Sequence, residues 1–252
     1  MENDQRISCL RAAIADALSL GKEATEGLGS DPSSLFHMVL KGLAEAVHDH
    51  AAAVLHLSDG EHIRSSKVLL RTLIESWIIA SYVATDDTGS RAASYIMKEP
   101  TETKRFLNAL LRLATEKPSE QSAALASAGL TSLDDLNERI ARLERDLDDA
   151  RRRGVPPFPN IVDCAKAAGL EVTYRSIYGY LLSGQVHARA GDTLRDLRSG
   201  SRDQDDDYRV LITTLFLQIQ MLTLTSQHFG QPDRDTIAPF ESLLTELRAS
   251  GR

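Results

Sequence analysis

Two polar groupings in this chain have the residue types and spacing of a chemical site. In RTLIESWIIASY, Arg71 and Glu75 are four residues apart and share one helix face. Arg71 comes first, the weaker order for an intrahelical pair. Leu69, Leu70, Leu73, Ile74 and Trp77 surround them. Opposite charges in so apolar a neighbourhood need further polar partners, because an unpaired buried charge is costly. The pair reads as an ion pair at the rim of the core or as the lining of a ligand pocket. In the second grouping, YRSIYGYLLSGQVHARAGD, Tyr180, Ser183 and His187 step by three and four on one face, with Tyr174 and Tyr178 toward the other. A serine one turn from an imidazole can hydrogen-bond to it, as a nucleophile does to its base. The same spacing arises when the two residues simply satisfy each other in a core. His187 alone can serve as acid, base or ligand contact.

Weaker signals lie elsewhere. Glu45-Ala46-Val47-His48 has the E-x-x-H spacing of di-iron bundles. No second copy accompanies it, so Glu45 and His48 are only weak metal candidates and no metal or cofactor is expected. His48, His50, His56 and His62 crowd one stretch and read as a solvated face or turn. Helical defence ribonucleases carry an R-x4-6-H signature, and no histidine here is preceded by an arginine at that spacing. There is no P-loop, no G-x-G-x-x-G and no zinc pattern.

The elements that must position these residues are helices. Only 5% of residues are aromatic, so the core must be aliphatic, which favours helices over a β-sandwich. Apolar residues at spacings of three and four mark helices over 5–27, 33–57 and 61–84, the second capped by Asp31 with Pro32 in its first turn. The third is apolar nearly all round and should be central. A fourth helical region opens at Thr88 or Ser90 and breaks at Pro100, and residues 117–130 read as a connection. Over 131–153, Leu133, Leu136, Ile140, Leu143 and Leu147 form a narrow 3-4-3-4 seam, suited to an antiparallel hairpin or a dimer zipper. With a charged remainder, residues 118–157 should project as an arm from a single domain over 1–252. A short helix capped by Asn160 and closed by Gly169 follows, then helices over 174–190, 208–229 and 235–247. SGSRDQDDD, 199–207, reads as an acidic loop.

The stretch 210–227 carries no charge, but its threonines and glutamines suit a buried core helix better than a membrane span. A formal charge of -7 argues against a broad nucleic-acid face, a small local RNA site aside. Cys9 and Cys164 form neither a disulfide framework nor a zinc set. The opening lacks the basic start and apolar run of a secretory signal, so the expected location is the cytoplasm.

The R-x3-E helix, a later Arg and Tyr (Arg91 and Tyr95), then tyrosines before Ser183-x3-His187, resemble a bacterial family of helical proteins of unknown function over roughly residues 35–230. The resemblance implies that Arg71, Glu75, Ser183 and His187 converge, and it adds Tyr95 and Tyr180 to the candidate ligand contacts. The expected fold is an all-α irregular bundle of seven to nine helices. The expected role is interaction or ligand sensing, in a stress or phage-defence setting. A polar pocket around Arg71, Glu75 and His187 would take an unknown small ligand, and residues 131–153 a protein partner or a second copy. The alternative is a hydrolase or metal-independent nuclease in which His187 is the acid or base, Arg71 holds an anion and Glu75 orients one of them.

Overall fold

The apolar stripes become helices, and no strand forms among the described residues. The computed structural model describes residues 3–27, 34–58, 63–178 and 204–250. In chain order the helices are α1 (Asn3–Gly27), α2 (Leu35–Leu57), α3 (Ile63–Val83), α4 (Thr88–Ile96), α5 (Lys98–Glu116), α6 (Gln121–Ser127), α7 (Leu133–Arg152), α8 (Ile161–Ala167), α9 (Glu171–Ile177), α10 (Gln204–Phe229) and α11 (Arg234–Ser250). That exceeds the expected seven to nine. The chain divides into two compact units, Met1–Asp86 with Asn160–Arg252, and Asp87–Pro159.

In the first unit α10 is the central element and packs on α1, α2, α3 and α11. Leu211, Leu215, Ile219 and Leu222 from α10 meet Leu10, Ile14 and Ala17 from α1 and Ile237, Leu244 and Leu247 from α11 in one buried cluster. Three of its threonines are satisfied locally: Thr214, Thr223 and Thr225 donate their hydroxyls back to the carbonyls of Val210, Ile219 and Met221. By length and composition Asp207–Phe229 would suffice to cross a membrane, but four helices of its own unit surround it. The helix expected from Tyr208 starts at Gln204, so Asp205–Asp207 of the expected acidic loop belong to its first turn, and residues 199–203 lie outside the described residues.

The second unit shows where the leucine seam goes. Leu136 and Ile140 of α7 cluster with Leu107 and Leu110 of α5 and Leu125 of α6. Lys104 of α5 reaches Glu144 of α7 at 2.9 Å. Residues 117–130 are therefore more than a connection: a single 3-10 turn at Pro118–Glu120 leads into α6, whose Leu125 closes the end of this core. The break between α4 and α5 falls at Met97, and Pro100 sits in the first turn of α5, where a missing N–H costs no helical bond. Ser132 caps α7 by accepting from Asp135 N at 3.0 Å. The cap of α2 is Ser34, which accepts from His37 N, and the expected cap Asp31 lies outside the described residues.

The histidine-rich stretch of α2 also needs correction. His56 is exposed, but His48 is buried, 7% exposed, where α2 crosses α1 and α10. Gln218 Nε2 donates to Val47 O at 3.2 Å, which turns Gln218 Oε1 toward His48 Nδ1 at 2.7 Å. Nδ1 must then carry the proton, and Nε2 is a buried acceptor with no partner among the described residues. Gly21 of α1 lies against this ring. A Cβ at Gly21 would stand 2.6 Å from Nε2, so only glycine lets α1 approach this closely. Gly21→Ala is expected to lower stability by about 1–3 kcal/mol by forcing the crossing apart.

Burial holds the His48 imidazole below its ordinary 6.5, despite the raising effects of Gln218 and Asp49. As pH falls, the unfolded chain therefore takes up the proton first. The contribution is complete above 6.5 and is lost as pH drops from there toward the folded value. Melting curves between about pH 7.5 and 5 should thus fall more steeply for wild type than for His48→Gln. Parallel curves would show that His48 does not set the acid limit of the fold.

Candidate functional site

Arg71 and Glu75 lie one turn apart on α3, which buries Leu70, Leu73, Ile74 and Ile78 in the core beside them. The residue types alternate so that the ion pair falls at the edge of that core. Arg71 Nε donates to Glu75 Oε1 at 2.9 Å, with the two side chains 36% and 32% exposed. The pair is half-buried, between the two readings the sequence allowed.

The third partner comes from α9. The chain reaches it through a Schellman turn after α8: Leu170 N donates to Ala165 O at 2.7 Å, Gly169 N to Lys166 O at 3.0 Å, and Gly169 adopts φ +70. The first turn of α8 is capped by Asn160, which accepts from Asp163 N at 3.0 Å, and α8 packs on α3. Together these fix the start of α9 at Glu171, earlier than the expected 174. Tyr174 is buried and Tyr178 half-buried, with ring centroids 5.2 Å apart. The Arg71 guanidinium lies 5.2 Å from the centroid of the Tyr178 ring. Its positive face thus meets a negative aromatic face while its Nε is engaged by a carboxylate.

The electrostatics follow from this geometry. The Glu75 hydrogen bond, first, and its charge raise the Arg71 pKa further above an already high ordinary value, so the group is a fixed cation. Burial raises the Tyr174 hydroxyl above its ordinary value; the neighbouring Tyr178 and Glu75 add to this and Arg71 opposes it. Tyr174 is therefore a neutral phenol, a donor as well as an acceptor. The only hydrogen bond of the Arg71 guanidinium within the described residues is through Nε. Nη1 and Nη2 remain as a two-pronged donor pair beside two tyrosines. That is the geometry in which arginine takes a carboxylate or phosphate bidentately.

Tyr180, Ser183 and His187 lie outside the described residues. Tyr95 belongs to the second unit, where its ring meets Phe158 edge-on at 5.4 Å and burial raises its hydroxyl's pKa. Glu45 faces solvent while His48 points into the α1–α2–α10 crossing, so the E-x-x-H pair does not share a ligating face. No group of three or more metal-binding side chains occurs among the described residues. Tyr178 was legible only as a residue four places from Tyr174. Nothing in its spacing pointed to Arg71, a hundred residues earlier, because that contact depends on the turn at Gly169.

Fold and site together define an all-helical protein with a half-buried Arg–Glu pair packed under a tyrosine ladder. The chain belongs to the DUF5677 family, a family of unknown function, which it matches over residues 37–206. No curated protein and no solved structure matches the chain.

The half-exposed pair sets an expectation for stability. A solvent-screened ion pair and one cation–π contact together contribute on the order of 1 kcal/mol. Arg71→Ala should therefore lower the melting temperature by only about 2–4 °C in a chain of this size. A loss above about 3 kcal/mol in chemical denaturation would mark the cluster as a buried structural network instead.

Proposed function

We propose that this protein is an interaction or ligand-sensing protein of the cytoplasm that binds a small anion at Arg71. The observation that carries this reading is the state of the guanidinium. Glu75 holds its Nε, Tyr178 covers one face, and two terminal nitrogens are left without hydrogen bonds among the described residues. A side chain so oriented loses little further freedom on binding, which is what makes a preorganised receptor. Tyr174 and Tyr178 supply hydroxyls and a flat wall beside it. The partner half of the reading is supported by the second unit. There α5 leaves Phe106 56% and Leu113 37% exposed, one turn-pair apart on one face, while α7 turns a charged face outward over residues 131–153. Paired apolar anchors with a charged rim suit a protein partner or a second copy.

Isothermal titration with inorganic phosphate and pyrophosphate tests the anion site. Wild type should bind at least one of them, and Arg71→Lys, which keeps the charge but loses the fork, should bind about tenfold more weakly. Heats that are the same in wild type and Arg71→Ala would sink the proposal.

A further inference from the structure

Within the first unit, on the side of α9 away from Tyr174 and Tyr178, lies an open cleft of about 330 Å³ between α9, α10 and α11. Its apolar lining includes Ile177 from α9 and Ile212 and Phe216 from α10. Its hydroxyls are Thr173, Ser176 and Thr213, and Arg248 of α11 is the one charged group that lines it. Phe216 is fixed in place from behind by Trp77, edge-on at 5.9 Å, and carries the Arg248 guanidinium over its face at 5.0 Å from the ring centroid. Its charge also acts on the Tyr208 hydroxyl, but no hydrogen bond or ion pair holds the guanidinium among the described residues, so its N–H groups can meet an acceptor. Thr213 differs from Thr214 beside it, whose hydroxyl is spent on Val210 O.

A single lining cation over an aromatic ring, next to an aliphatic lining and three hydroxyls, matches a molecule with one negative end and an apolar body. The volume is at the small end of ligand pockets, too small for a nucleotide or a folded peptide element. The apolar lining disfavours a free inorganic anion, which would be desolvated there by a single partner. We propose that this cleft binds a small apolar monocarboxylate of roughly six to eight carbons. The carboxylate sits on Arg248 and Thr213, and the chain lies along Ile177, Ile212 and Phe216. The inference does not rest on the Arg71 reading, because no residue of that cluster lines the cleft.

The probe is heptanoate, added to the full chain and followed by amide chemical shifts. The expected result is shifts concentrated on residues 172–177, 212–216 and 248, with a dissociation constant of about 1 mM or tighter, as suits a ligand of this size. Arg248 is exposed, so Arg248→Gln should leave the rest of the spectrum unchanged while weakening heptanoate about tenfold. 1-Heptanol, with the same chain and no charge, should bind wild type about tenfold more weakly than heptanoate. Arg71→Ala should bind heptanoate as wild type does, which separates this site from the anion site on α3. Absence of shifts up to about 10 mM, shifts centred elsewhere, or equal binding by wild type and Arg248→Gln would overturn the proposal.

Discussion

The first unit depends on α10 being surrounded. This helix is long and carries no charge from Val210 to Gln227, yet it buries the polar side chains of Thr214, Gln218 and Thr225. Thr214, Thr223 and Thr225 resolve themselves by bonding to their own preceding turn. Gln218 instead spends its amide across the helix interface, on Val47 O and His48 Nδ1, and so locks the register of α2 against α10. The same ring leaves room only for glycine at position 21, which sets the approach of α1. One amide and one imidazole thereby tie three helices, at the cost of leaving Nε2 buried with no partner among the described residues.

That lock has consequences for chemistry at the surface. With α2 and α10 fixed, α3 buries Leu70, Leu73, Ile74 and Trp77 against them, and Arg71 and Glu75 are carried to the core's edge. Trp77 in turn braces Phe216. The short α9 then lies over this layer with two working faces. Tyr174 and Tyr178 form the wall beside Arg71, and Thr173, Ser176 and Ile177 line the cleft that ends in Arg248. Seven residues without a side-chain cap have little intrinsic helical stability, so α9 owes its position to the Gly169 turn and to buried Tyr174.

Much of the fold was legible in the sequence, because helical periodicity is a local signal. The stripes of α1, α2, α3 and α7, the Asn160 cap and the turn at Gly169 all stood in the residues themselves. The errors came where a local rule met a second use for the same residue. Pro100 has the local signature of a break, although a first turn accepts proline. The polar stretch 117–130 hid α6, because one buried leucine, Leu125, is too little for a periodic pattern. His48 resembles its solvated neighbours in sequence, because the glutamine that bonds it lies 170 residues away. At the site, the Arg71–Glu75 pair was legible from spacing alone and Tyr178's part in it was not, since cation–π contacts across elements leave no trace in sequence.

Arg71 stands at the centre of this site, an oriented donor whose terminal nitrogens have no hydrogen bond among the described residues. Side-chain nitrogen-15 spectra of the arginines, recorded as inorganic phosphate is added, test this at the atoms concerned. The Arg71 Nε–H should be found already slowed in exchange by Glu75, with its Nη resonances shifting and sharpening as phosphate binds. Nη signals that are slow and unresponsive from the start would mean that the fork is already occupied within the fold, and the account of this site would be wrong.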